Sequence, residues 1–309
     1  MEHATLGRML VIANPCAGSG SSEVLERLVA ALATHGIVPT VVETGAAGDA
    51  TRIARDAAES GMRFLVAVGG DGTVHEVVNG LVDAETGTVR GHDPVLGVVS
   101  AGSGCDLVRT FGLDRSPEVV ARHLAGPHTT RIDLGRVRLV GPDGGPLVRI
   151  FANVAEVGFG GAVASSARRL PARLGPRRYT LGIVAAWGRF RRVGMTVRHD
   201  GGIHEGSLCN VVVANGQFFG GGLKVAPRSL PDDGRFDVQA WGGSPTDVVR
   251  AARQLRDGSH LQRADVRAWP SATVVVEAER VVAVEADGEL LGTSPAHFDL
   301  LPGVLAFKV

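Results

Sequence analysis

Net charge is missing from this 309-residue sequence: Lys plus Arg and Asp plus Glu both total 32. No global field therefore favours nucleic acid or an anionic membrane, and any electrostatic partner has to be met locally. Nucleic acid is accordingly set aside as a partner. Cysteine is scarce. Cys16, Cys105 and Cys209 form neither a CxxC pair nor an even framework, which excludes a zinc ribbon and fits a reducing compartment better than a disulfide scaffold. No uninterrupted apolar run approaches the roughly 18 residues of a spanning helix, and "MEHATLGRML" has no basic flank followed by an apolar stretch. The expected location is cytoplasmic, or peripheral on the inner face of the membrane. Both common nucleotide fingerprints are absent, G-x-x-x-x-G-K-[ST] and complete G-x-G-x-x-G alike, so the chain is neither a Walker-type ATPase nor an ordinary dinucleotide binder. "HEVVN" at His75 lacks the second histidine of a zincin. Lysine is nearly absent too, with Lys224 and Lys308 the only two.

What is present divides the chain. The length suggests two domains. Over residues 1–130, apolar β-branched runs ("MLVIANP", "PTVVET", "FLVAV", Val95 to Ser100) alternate with helical stretches near Ser22 to His35, Asp49 to Glu59, Asp106 to Phe111 and Pro117 to Leu124. That alternation predicts an α/β nucleotide-binding domain, a parallel sheet flanked by helices. From about Arg131 the period changes to two, in "RIDLGRVRLV", "GSLCNVVVANG", "FDVQAW" and "TVVVEAERVVAVEADGEL". Residues 131–309 should form a β-rich, antiparallel, sandwich-like domain, with the final residues free to pack back on the first. One helical island is expected from Tyr179 to Arg191, after the arginine-rich "ARRLPARLGPRR". Nothing in the sequence opposes a homodimer.

Three glycine-rich turns, "NPCAGSG", "GGDGT" and "SAGSGCD", follow predicted strands. In open α/β sheets ligands sit at such carboxyl ends, where glycines let several N–H groups face one anion and the next helix adds its positive end. Together they suggest a nucleoside triphosphate. Each alone is also what a tight strand-to-helix turn needs, and Thr73 with Glu76 reads as a capping box that requires no ligand.

These residues resemble a known family. "GGDGTVHEVVNGL" is similar to the signature of the diacylglycerol kinase catalytic-domain family, which includes bacterial lipid kinases and sphingosine kinases. "NPCAGSG", "SAGSGCDLVRTFGL", "NGQFFGGGLKVAPRSLPDDGRFDV" and "VEADGEL" resemble its further motifs in order, from Asn14 to Glu289. The resemblance implies ATP in the nucleotide domain and phosphoryl transfer to a lipid hydroxyl, most simply that of diacylglycerol. Sphingoid bases, ceramide-like lipids and polyprenols stay open as acceptors. It places Asn14, Pro15, Cys16, Ala17, Gly18, Thr44, Gly69, Gly70, Asp71, Gly72, Thr73, Glu76, Gly102 and Ser103 at the nucleotide. Leu230, Asp233 and Arg235 fall at a structural magnesium site, with Leu230 and Arg235 offering backbone carbonyls. Glu289 becomes the proton acceptor and Asp287 its active-site neighbour. Departures from the family pattern are Ala17 for Ser, Ser100 for Pro, Ser103 for Thr and Cys105 for Asn. Because GGDGT is shared with NAD kinases, an NAD kinase-like phosphotransferase is one rival, and a catalytically inactive lipid- or nucleotide-binding protein another.

The chemistry fits those residue types. Phosphoryl transfer requires alignment and charge compensation, usually through Mg²⁺, and a base for the acceptor's proton. Asp71, on a loop stripped of side chains, would be repelled by phosphates unless it worked through magnesium or its waters; otherwise it accepts backbone hydrogen bonds. Asp287 and Glu289 lie on opposite sides of an extended strand, or turn together if Gly288 bends. Asp232 to Gly234 also reads as a plain turn. Lys224, after "GGGL", could reach an ATP phosphate or be a solvated strand residue. Arginines 168, 169, 173, 177, 178, 189, 191 and 192, interleaved with Leu170, Leu174, Tyr179, Trp187 and Phe190, could dock on an anionic bilayer or form a solvated face.

Overall fold

The computed structural model describes residues 7–18, 20–101, 105–113, 116–170, 181–182, 184–187 and 190–309. The chain divides into two compact units: Met1–Leu134 with Leu301–Val309, and Gly135–Leu300.

In the first unit, β1 (Met9–Ala13) and β3 (Phe64–Gly69) are buried at every residue, as central strands of a parallel sheet covered on both faces should be. The order runs β2 (Thr40–Glu43), β1, β3, β4 (Val95–Ser100), then the last stretch of β15 (Glu289–Lys308), every neighbouring pair parallel. Helices α1 (Ser21–Thr34) and α2 (Asp49–Glu59) bury one stripe each, Leu28 and Leu32 on α1 and Ala50, Ala54 and Ala58 on α2. Those i, i+4 spacings are the apolar face of an amphipathic helix. The alanines let α3 (Asp71–Leu81) approach closely: a Cβ on Gly80 would lie 2.4 Å from the Thr51 carbonyl oxygen. Short α4 (Asp106–Thr110) and α5 (Pro117–Ala125) follow β4. The carbonyl of Gly126, at the end of α5, accepts the ammonium of buried Lys308.

The second unit is built from antiparallel ladders. One runs β12 (Val266–Ser271), β11 (Phe236–Trp241), β10 (Asn210–Ala214), β7 (Val154–Gly158), β14 (Ala283–Ala286) and β15. Another runs β9 (Gly202–Leu208), β8 (Val193–His199), β13 (Thr273–Ala278) and again β15. Strand β5 (Thr129–Val140) pairs with β6 (Pro146–Phe151) and β15. Alternate residues of these strands fill one core around Phe151, Phe236 and Phe298. Helices also lie between the strands. α6 (Phe159–Arg168) packs on β7 and β14, and α7 (Pro245–Arg250) starts from a Ser244–Asp247 capping box.

Three details extend the sequence reading. "TVVVEAERVVAVEADGEL" holds β13, β14 and the start of β15, with breaks at 279–282 and at 287–288. Helix α6 is not foreshadowed, because "FGGAVASSAR" opens on two glycines and lacks a clear stripe. Of the island expected from Tyr179 to Arg191, residues 181–182 and 184–187 are helical, Phe190 and Arg191 are not, and the others lie outside the described residues.

Candidate active site

At the carboxyl edge of the first unit's sheet, the loop after β1 is an Asx turn: Asn14 Oδ1 accepts the Cys16 N–H at 2.9 Å, and Ser21 Oγ donates to the Pro15 carbonyl at 2.6 Å. Asn14 Nδ2 reaches across to Thr73 Oγ1 at 3.3 Å, tying this loop to the start of α3. Thr44, directly after β2, donates its N–H to the Ala13 carbonyl at 2.9 Å. Thus Asn14 to Gly18, Thr44 and Gly69 to Thr73 share one sheet edge. Gly69 is dictated by packing, since a Cβ there would sit 2.3 Å from Thr73 Oγ1.

Helix α3 begins at Asp71 with Gly70 as its N-cap and no side-chain cap. The expected Thr73–Glu76 capping box is absent. Thr73 is buried inside the first turn, and Glu76 accepts the N–H groups of Gly48 at 2.9 Å and Ala50 at 3.1 Å, capping α2 instead. An uncapped helix start between glycines is a surface suited to an anion. Asp71 Oδ1 accepts the N–H of Asp106, first residue of α4, at 2.8 Å. The backbone-acceptor role is therefore real, and it joins the loops after β3 and β4. Gly102 and Ser103 lie outside the described residues.

In the second unit, the Asp287–Gly288 question resolves as a bend. Both residues have positive φ, 51° and 83°, and Ala286 pairs with Glu289: a two-residue hairpin of the kind Asp-Gly favours. Asp287 turns inward, is 7% exposed, and accepts three backbone N–H groups: Ala152 on Oδ2 at 3.0 Å, Asn153 and Val154 on Oδ1 at 2.9 and 3.3 Å. Glu289, two residues on, is exposed. Asn153 Nδ2 donates to the Phe218 carbonyl at 2.7 Å, and Asn215 Nδ2 to that of Ala152 at 2.8 Å. The clamp thereby fixes the loop leading to Lys224. That loop passes through Gly220, Gly221 and Gly222, all at positive φ, and the Lys224 ammonium lies 5.6 Å from the centre of the Phe218 ring. Asn153 belongs to no quoted motif and Asn215 opens "NGQFFGGGL", but only their burial and bonds reveal the clamp they serve.

Asp233 sits on an exposed turn, its Oδ1 accepting the Arg235 N–H at 3.2 Å; Leu230 is 49% exposed. Asp233 and Arg235 border a cavity of about 250 Å³ with Asp237, whose carboxyl burial pushes up to about 6. A carboxylate with backbone carbonyls and water is the all-oxygen shell magnesium takes, so the donor set fits that ion. Among the described residues no group of three or more His, Cys, Asp or Glu is disposed to hold a metal.

Family models match both units: the diacylglycerol kinase catalytic domain over residues 8–137, and the YegS C-terminal NAD kinase beta sandwich-like domain over 153–309. The chain belongs to the diacylglycerol kinase family. Membership makes it a phosphotransferase with an alcohol acceptor that uses ATP. Among relatives of this family, a diacylglycerol kinase of Mycobacterium tuberculosis is 28% identical, covering 97% of this chain and 94% of its own. A "Probable lipid kinase YegS-like" of Chromohalobacter salexigens is 30% identical, with 84% and 79% covered. A crystal structure from Bacillus anthracis str. Sterne, provisionally named a diacylglycerol kinase, superposes with a TM-score of 0.76 at 25% identity, covering 97% of this chain and 96% of that one.

Proposed function

We propose that this kinase transfers the γ-phosphoryl group of ATP to a lipid hydroxyl, that of diacylglycerol in the first place, giving phosphatidic acid. The observation that carries the reading is the Asp287–Glu289 hairpin, where the first carboxylate is committed to backbone and the second is exposed to meet a hydroxyl. The relatives' names, diacylglycerol kinase and lipid kinase, support the acceptor class and tell against the NAD kinase alternative.

In this reading the loops at Asn14–Gly18, Thr44 and Gly69–Thr73 receive the triphosphate on backbone N–H groups at the uncapped start of α3. Lys224 compensates phosphate charge. Glu289 takes the proton of the attacking hydroxyl, and Asp287 holds the turn that aims it. Asp71 would stand beside a Mg²⁺ that compensates developing phosphate charge, and Asp233 with the carbonyls of Leu230 and Arg235 would hold a structural ion.

A lipid substrate requires a membrane surface. Leu181, Val184 and Trp187 are exposed at three-residue spacing, 44%, 59% and 44%, close in sequence to exposed Arg191 and Arg192. An apolar stripe with adjoining arginines supports docking on an anionic bilayer. No helix among the described residues is long and apolar enough to cross a membrane. Arginines 173, 177, 178 and 189, Leu174 and Tyr179 lie outside the described residues.

The test offers γ-labelled ATP and Mg²⁺ with mixed micelles containing diacylglycerol, sphingosine or undecaprenol, and with NAD separately, using Glu289→Gln as control. Label in diacylglycerol, lost in the variant, is expected. Label only in NAD overturns the reading, and label in none returns the binding protein.

A further inference from the structure

Two carboxyl groups that the phosphoryl-transfer chemistry does not use face each other inside the second unit. Strands β7 and β14 run antiparallel, and their register sets Glu156 directly opposite Glu285. The two residues are 3% and 5% exposed, and their carboxyls lie within hydrogen-bonding reach of each other. Two carboxylates cannot hold that arrangement, because neither has a hydrogen to donate and like charges opposite one another repel.

The surroundings leave little choice. Asn210, on β10, donates Nδ2 to Glu156 Oε1 at 2.5 Å. Glu156 Oε2, itself buried, meets no N–H or O–H donor among the described residues, and the facing carboxyl of Glu285 can donate only in its acid form. Helix α6 closes the site from above. A Cβ on Gly160 would lie 2.2 Å from Glu156 Oε2, and one on Gly161 would lie 2.4 Å from the Ala283 carbonyl oxygen of β14. The Gly160 N–H donates to Asn210 Oδ1 at 3.2 Å, so the same amide bridges helix and acid.

The charges that act on Glu285 are of one sign. The β14–β15 turn brings Asp287 and Glu289. Cys209, beside β10, contributes a thiol pushed up to about 12, by burial first and then by Glu156. Strands β7, β10 and β14, residues 289–293 of β15 and α6 up to Ala167 contain no Lys, Arg or His.

We infer that Glu156 and Glu285 share a proton, and that this acid couple is a positioning device for the Asp287–Glu289 turn. The couple lies two residues along β14 from Asp287, and two along β7 from Val154, whose N–H and carbonyl Asp287 binds. Loss of the proton leaves two anions opposed in an apolar interior, and they separate the strands where the Asp287 clamp begins. Burial, then the charge of Glu156, holds Glu285 well above the ordinary 4.5. The folded state therefore binds more protons than the unfolded one above that pH. The couple's stability is complete below it and is lost as pH rises toward the folded-state value. Only an effect on turnover rests on the kinase reading.

The test compares wild type, Glu156→Gln and Glu285→Gln, each variant keeping a donor for the remaining carboxylate. Infrared spectra at neutral pH should show a protonated-carboxyl band in wild type that both variants lack. Amide exchange over residues 152–157, corrected for intrinsic rates, should quicken by about tenfold per pH unit between about 4.5 and the folded-state value in wild type, and stay flat in the variants. Phosphorylation of the lipid should fall over the same range through kcat with KM for ATP unchanged, and Glu285→Gln should lack that fall. Absence of the band from wild type, or the same pH dependence of exchange in all three proteins, overturns the inference. If one variant fails to fold, the other and the wild-type band still decide. If no acceptor is phosphorylated, the kinase reading falls while the band and exchange still judge the couple.

Discussion

Asp287 and Glu289 are separated by one glycine, yet they carry different burdens. Asp287→Asn keeps the size but places an amide against three backbone N–H groups, so a loss of about 2–3 kcal/mol is expected, read by denaturant unfolding. Glu289→Gln, on an exposed position, should change stability by no more than about 0.5 kcal/mol while lowering turnover at least roughly a hundredfold in the labelled-ATP assay. Cysteine reactivity gives a second residue-scale check. Cys16 is exposed on the β1 loop, whereas Cys209 is buried with its thiol pushed up to about 12. Iodoacetamide at mildly alkaline pH should label Cys16 and spare Cys209 by peptide mass spectrometry, and ATP should slow the Cys16 reaction if that loop holds phosphate. At this scale the sequence is only partly legible. "GGDGT" and "DGE" announce themselves, but Glu156 in "VAEVG" and Glu285 in "VEADGEL" look like polar members of alternating strands. Their burial comes from α6 and from sheet neighbours on both sides, which no local pattern contains.

Among elements, the parallel strands were the easiest to read, because burial on both faces demands continuous apolar runs and the intervening helices keep a single stripe. Helix α6 was illegible for the opposite reason. Its glycines are there so that backbone can lie against Glu156 and Ala283, and a helix selected for close approach loses its propensity signal. The Gly220–Gly222 loop, by contrast, stands out as "GGGL": Gly221→Ala, at φ 84°, should cost about 1–2 kcal/mol by thermal unfolding. On the helical residues 181–182 and 184–187, replacing Leu181, Val184 and Trp187 with Ser should weaken binding to phosphatidylserine vesicles in flotation. Arg191→Gln with Arg192→Gln should cost roughly 1 kcal/mol per arginine, a loss that high salt removes.

Over the whole molecule, the change from period 3.6 to period 2 near Arg131 marks where one kind of packing gives way to another, and the structure divides after Leu134. Long-range pairings stayed hidden, above all that of the final strand with β4. Lys308 is the test of that pairing. It is buried, its ammonium donates to the Gly126 carbonyl and it lies over the Phe64 ring. Lys308→Met leaves that carbonyl without its donor, and a loss of about 1–3 kcal/mol is expected. Burial holds the Lys308 ammonium below its usual value. The unfolded chain therefore binds more protons at alkaline pH, and wild-type stability should rise there relative to the variant.

The last strand has a consequence for biosynthesis. Residues 301–309 belong to the first unit, but they are made only after all of 135–300. On the ribosome, the nucleotide-binding sheet must wait with the edge of β4 uncovered while the entire second unit is translated. Vectorial synthesis thus cannot deliver a finished first unit, and an isolated 1–134 fragment should aggregate through that open edge. Supplying residues 301–309 by fusion ahead of residue 7 would let the first unit close before the second is made.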